Sequence, residues 1–219
     1  MRKEYFQELE SLRDQLVDMT ELVRKAMSSA TQALLEANIE LADQVIENDT
    51  AIDSLNADVE DRALELITLQ APVATDLRVL ISGMRIAQSL ERMGDLAVHV
   101  ARAARMRYPR TAVPPELRFT IEQMGAIAEL ISAKTAEVVK DGDVQGAFEL
   151  AEIDDDMDEL HRSLFIAILS PDRDVSIEAA IDVTLLSRYY ERYADHAVTI
   201  GKRVVHIATG EPYAATSID

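Results

Sequence analysis

Apolar residues recur at alternating spacings of three and four along the first segment: Leu9, Leu12, Leu16, Met19, Val23, Ala26, Ala30, Ala33 and Ala37. That rhythm predicts a long helix with a lengthwise apolar seam. Asn38 and Asp43 offer a turn. A second helical segment follows from near Glu40 to Leu69, and Ala71-Pro72 ends it because a residue before proline avoids the α region. A third runs from about Thr75 to Arg107, and Pro109, Pro114 and Pro115 form a linker.

The plan then repeats. A helix is expected from Pro115 to about Lys140, stopping at Asp141-Gly142-Asp143, and another up to Leu169, ended by Ser170-Pro171. The last starts near Asp174 or Ser176, either a good N-cap, and continues to Ala208, where Gly210 and Pro212 stop it. The repeat is visible residue by residue. A shift of 105 places Leu12-Arg13 on Leu117-Arg118, Met19 on Met124, Glu47 on Glu152, Asp49 on Asp154 and Asp53 on Asp158. A shift of 100 places Ile81 on Ile181, Glu91-Arg92 on Glu191-Arg192, Asp95 on Asp195 and Ala97-Val98 on Ala197-Val198. The change of shift reads as a shorter loop at Ser170-Pro171 than at Leu69–Thr75. The expectation is an all-α chain of two tandem three-helix units, residues 1–110 and 111–210, with a disordered tail at 211–219. Two separate bundles and one fused six-helix body both satisfy the pattern, and long antiparallel helices with short turns favour bundles.

Composition agrees with helices. Hydrophobic residues make up 48% of 219, aromatics only 5%, and Gly (7) and Pro (6) are scarce. The absence of Cys removes disulfides, thiolate zinc sites and cysteine nucleophiles, and fits a reducing cytoplasm. Charged residues follow Met1 at once, and no apolar run is long enough for a bilayer, so neither a signal peptide nor a membrane span is expected. With 40 acidic against 22 basic residues the net charge is −18. Such a surface repels nucleic acids and anionic lipids and suits divalent cations or basic protein faces.

The acids carry the candidate chemistry. Each half holds two acid pairs spaced by four: Asp49/Asp53 with Glu91/Asp95, and Asp154/Asp158 with Glu191/Asp195. Residues four apart share a helix face, so crossing two such helices gathers four carboxylates, a costly arrangement without a cation or a bound proton. The spacing alone is common, arising about seven times by chance at this acidity; Glu10/Asp14 and Asp43/Glu47 also fit it and read as solvated faces. The eight chosen acids stand out because they recur in register and lie beside the apolar seam and small residues Gly94, Ala97, Ala194 and Ala197. Oxygen ligands suit Mg²⁺ or Mn²⁺ first, with Ca²⁺, iron and zinc as further candidates. A di-iron site of ferritin type needs two Glu-x-x-His motifs, and only Asp158-Glu159-Leu160-His161 comes near one. His99, His161 and His196 read as packed or surface histidines, with a nitrogen-ligand role as the alternative. Arg92 and Arg192 either balance neighbouring carboxylates or form ordinary surface ion pairs. Arg102, Arg105, Arg107 and Arg110, with Lys202 and Arg203 in the repeat, complement helix C-termini, with partner docking as the alternative.

Leu90-Glu91-Arg92-Met93-Gly94-Asp95 and Tyr190-Glu191-Arg192-Tyr193-Ala194-Asp195 resemble the paired E-R-x-G-D signatures of the PhoU family, as does Ala71-Pro72-Val73-Ala74-Thr75-Asp76-Leu77-Arg78. The resemblance covers about Tyr5 to Gly210, with Ala194 standing where the family usually has Gly. It implies two similar three-helix bundles and multinuclear metal sites on the acid pairs. It also implies a self-associating, homodimeric cytoplasmic protein that works with a phosphate ABC transporter and a PhoR-type histidine kinase, restraining uptake and the starvation response when phosphate is plentiful. A carboxylate-bridged oxidase or hydrolase and a metal-free helical scaffold are the alternative readings. No nucleophile with a base and no phosphate-cradling glycine loop stands in the sequence.

Overall fold

The computed structural model describes residues 2–170, 175–211 and 213. Among them six long helices form: α1 (Arg2–Glu36), α2 (Ile39–Gln70), α3 (Thr75–Arg107), α4 (Arg118–Asp141), α5 (Val144–Ile168) and α6 (Ile177–Thr209). A short 3₁₀ turn, Pro115–Leu117, leads into α4. No helix among these residues is long and apolar enough to cross a membrane. The expected disordered tail falls largely outside the described residues, as does Asp174.

Local chemistry sets the ends. Asn38, rather than Asp43, makes the first turn: its side-chain oxygen accepts from the Leu41 N–H at 3.0 Å and caps α2. Asp43 lies inside α2 and pairs with Arg105 at 3.2 Å. Ser176 caps α6 by accepting from Ala179 N–H at 3.2 Å. Gly142 and Gly210 end α4 and α6 in the left-handed region, at φ 66° and 80°, where the missing Cβ removes the steric cost.

The two halves are three-helix bundles, α1–α3 and α4–α6, lying side by side. They are joined lengthwise where α1 packs on α4 and α3 on α6. The α3–α6 pair is antiparallel: His99 stacks on Tyr189 (centroids 5.0 Å apart), and Arg107, at the end of α3, reaches Asp182, near the start of α6. One apolar core runs through both bundles. On α1 the expected seam residues Leu12, Leu16, Met19, Val23, Ala30 and Ala33 are buried. So are Met27 and Leu34, because α1 packs against α2, α3 and α4 and needs a wider apolar face than a two-helix seam.

The changing repeat shift has a different origin from the one expected. The connection 169–176 is longer than 71–74; it is α5 that is shorter, with 25 residues against 32 in α2.

Two buried tyrosines mark the junction of the bundles. Tyr190 Oη lies 2.7 Å from Thr31 Oγ1, and Tyr193 Oη lies 2.7 Å from Ser132 Oγ. Each hydroxyl of α6 thus finds a partner on α1 or α4 in an otherwise apolar interior, as a buried phenol requires. The matched positions on α3 are Leu90 and Met93, also fully buried.

Candidate metal centres on the bundle faces

Each acid set lies where the second helix of a bundle crosses the third. In the first half Asp49 and Asp53 come from α2, Glu91 and Asp95 from α3. Gly94 is the contact point: a methyl there would sit 3.0 Å from Ile52 Cδ1 and 3.2 Å from Asp49 Oδ1. The missing side chain is therefore what lets α2 bring Asp49 up to α3. In the second half Asp154 and Asp158 come from α5, Glu191 and Asp195 from α6. Ala194 is fully buried at the matched crossing, with the unbranched Met157 in the place of Ile52, a side chain that accommodates an extra methyl more readily.

The four acids of each half feel one another. Burial, then the neighbouring charges of Asp53 and Asp95, push the Asp49 carboxyl up to about 6 against the opposing pull of Arg102. Burial, followed by Asp195, Asp158, Asp155 and Glu191, pushes Asp154 up to about 7. Glu91 is raised by burial and then by Asp95, and Glu191 by burial and then by Asp195. The sets are shallow. Asp53 and Asp195 are exposed, while the other six acids are half-buried. Among the described residues, no three His, Asp or Glu side chains already stand in a metal-holding constellation.

The unsatisfied atoms bear on whether a cation fits. Glu91 Oε2, Asp154 Oδ1 and Glu191 Oε2 are buried and accept no hydrogen bond. Arg92 Nε approaches Glu91 Oε2 at 3.4 Å, close enough for attraction but without hydrogen-bond alignment. Buried carboxylate oxygens normally have partners. Three of the four that lack one among the described residues belong to these eight acids, and hard divalent cations are what such oxygens accept. The donor set fits a carboxylate-held metal ion.

The basic residues around the sets do more than complement helix ends. Arg92 bonds Asp95 at 2.8 Å, Arg188 pairs with Glu191, and Arg102 faces Asp49. Arg107 forks onto Asp182, with Nε donating at 2.6 Å and Nη2 at 3.0 Å, and also pairs with Glu178, tying α3 to α6. Sequence patterning missed this bridge because the partners are far apart in the chain and outside the repeat register. Histidines are packed as expected. His161 Nδ1 lies 3.1 Å from Ser187 Oγ with its ring edge-on to Phe165, and burial lowers the pKa of both His161 and His196.

The duplicated plan and the two crossings coincide with a known domain. The profile of the PhoU domain matches twice, over residues 16–104 and 121–204. The chain belongs to the PhoU family. A Mycobacterium tuberculosis relative, the phosphate-specific transport system accessory protein PhoU homolog 2, is 44% identical over 210 residues, covering 96% of this chain and 99% of the relative. A PhoU homolog of Aquifex aeolicus is 33% identical, covering 94% and 93%. The crystal structure of the phosphate transport system regulatory protein PhoU from Streptococcus pneumoniae superposes with a TM-score of 0.86 at 27% identity, covering 95% of this chain and 98% of that one. PhoU from Pseudomonas aeruginosa gives 0.85 at 27% identity, covering 94% and 100%. The tandem bundles are thus the PhoU arrangement, and both acid sets lie within the matched domains.

Proposed function

We propose that this chain is a non-catalytic regulator of phosphate signalling that holds divalent cations on its two acid sets. The relatives' names as phosphate-specific transport accessory proteins support the regulatory part. The finer reading is that it couples a phosphate ABC transporter to a PhoR-type histidine kinase in the cytoplasm, as a homodimer, and restrains uptake and the starvation response when phosphate is plentiful. The observation that carries the metal part is the group of buried, unpartnered carboxylate oxygens at the matched crossings.

Asp49, Asp53, Glu91 and Asp95 would hold one site, and Asp154, Asp158, Glu191 and Asp195 the other, with Mg²⁺ or Mn²⁺ the best match and iron or zinc as alternatives. A bound cation supplies positive charge that offsets the carboxylate repulsion and links the second helix of each bundle to the third. The side chains themselves set the site: Gly94 admits Asp49, and the core beneath fixes the register of both helices.

Two measurements test this. Affinity capture of the tagged chain from cells grown with and without phosphate should bring down a transporter ATPase or a sensor kinase; capture of neither removes the coupling role. Elemental analysis of purified, dialysed protein should find divalent metal, and its absence in wild type would remove the cation part while leaving the regulatory part standing. Light scattering reports the dimer.

A further inference from the structure

The last turns of α6 carry a different chemistry from the acid sets. Thr199, Lys202, Arg203 and His206, together with Tyr213, line a surface cavity of about 380 Å³ that has no acidic residue in its wall among the described residues. In a chain with 40 acids and 22 bases, three basic side chains around an acid-free cavity run against composition.

The cavity is built rather than incidental. Gly210, at φ 80°, lets the chain reverse after α6. The His206 Nδ1–H donates to the Glu211 carbonyl oxygen at 3.1 Å and holds the returning segment. Tyr213 then stacks on Phe148 of α5, with centroids 4.9 Å apart, and forms the far wall. The Lys202 ammonium lies 5.5 Å from the centre of the Tyr213 ring.

Among the described residues the two permanent cations here lack a counter-charge. Arg203 Nε is buried without a hydrogen-bond partner, and neither Lys202 nor Arg203 makes an ion pair among the described residues. Elsewhere Arg24, Arg62, Arg107 and Arg188 all find carboxylates, as an acidic chain makes easy. With Nε closed off, it is the rest of the Arg203 guanidinium and the exposed Lys202 ammonium, both without a carboxylate partner, that suit an anionic acceptor from outside the chain.

We infer that this cavity binds a phosphate group. A guanidinium, an ammonium and the hydroxyl-bearing side chains of Thr199 and Tyr213 line the cavity. Such a set suits a multiply charged tetrahedral oxyanion better than a planar carboxylate, which a single arginine already satisfies. The cavity is larger than one such ion, so the group is either free phosphate or the phosphate end of a larger molecule. Along α6, Asp195 of the second set lies upstream, roughly 10 Å from Lys202 by helix rise. Binding therefore works against the overall charge and depends on direct contacts. The inference stands on this cavity alone and is independent of the metal and partner readings above.

Calorimetric titration of the full chain in EDTA, with inorganic phosphate in one arm and ADP in the other, tests it. EDTA removes any anion binding that passes through a metal. Saturable binding at one site per chain is expected for at least one probe, weakened about tenfold in K202Q and again in R203Q, with helical content by circular dichroism unchanged. Lys202 is exposed, so K202Q remains informative should R203Q fold poorly. Tighter binding of ADP identifies a carried phosphate group as the ligand, and equal or tighter binding of inorganic phosphate identifies the free ion. E191A/D195A should bind as wild type does. The inference is overturned if neither probe saturates below about 10 mM, if K202Q binds like wild type, or if E191A/D195A abolishes binding.

Discussion

The two acid sets are built from matched residues, yet they differ in the positive charge around them. In the first, Arg102 faces Asp49 and Arg92 spans Glu91 and Asp95. In the second, the position of Arg102 is taken by Lys202, whose ammonium lies over Tyr213. The charge of Arg192 is felt by His196, leaving Arg188 on Glu191 as the pairing cation. Asp155 adds a further negative charge where the first half has Thr50. Asp49 is held near 6 and Asp154 near 7. Duplication has kept the eight acids while the charges around them reset the field. The second set, with less compensation, is the one expected to gain more from the proposed cation.

The largest expected effect follows from that asymmetry. Replacing Glu191 and Asp195 by Ala should cost about tenfold or more in divalent-cation affinity, with helical content near wild type. E91A/D95A should cost less. Metal content after dialysis, compared between the two double variants, checks the order; equal losses would erase the distinction. Next in size is the crossing itself. Gly94→Ala pushes a methyl against Ile52 and Asp49, and overpacking of this kind costs about 1–3 kcal/mol. Ala194→Gly in the second half removes only a methyl and some helix propensity, about 1 kcal/mol. Denaturant melts of both variants decide whether Gly94 is the tighter contact.

A smaller effect is tied to pH. Asp154 has a folded-state value near 7, above its ordinary 3.8. The stability it contributes is thus complete below 3.8 and is lost as pH rises through 7. In EDTA, Asp154→Asn should exceed wild type near pH 8 by on the order of 1 kcal/mol, allowing for solvent screening of a half-exposed group. The gain should vanish near pH 4, where the wild-type carboxyl is protonated. For Asp49→Asn the loss runs between 3.8 and about 6, a narrower window and a smaller gain. Smallest of all, Arg102→Gln should make the first set resemble the second, raising the gain from Asp49→Asn by a few tenths of a kcal/mol.

Much of this was legible in the chain. Seam spacing, prolines and the double register gave six helices, and the acids at matched positions gave both crossings, because helix periodicity converts spacing into faces. Four things were not legible. Asn38 and Asp43 are both turn-compatible, and only the capping bond separates them. The shortened α5 compensates a lengthened connection, so an alignment shift alone misplaces the change. The charges that distinguish the two sets, Arg102 against Lys202 and Arg92 against Arg188, are near-neighbours in sequence pattern, and only their placement reveals which carboxylate each one meets. The Arg107–Asp182 bridge depends wholly on the antiparallel docking of α3 on α6.

The central claim, that carboxylates from crossing helices share a cation, is tested most directly by melting the metal-free protein with increasing Mn²⁺ near pH 8 and again near pH 5. The expected result is a saturating rise in Tm near pH 8 that shrinks near pH 5, where protons compete for Asp154 and Asp49, and that is largely lost in E191A/D195A. A Tm that does not respond to Mn²⁺ at either pH, or that rises equally in the variant, would contradict it.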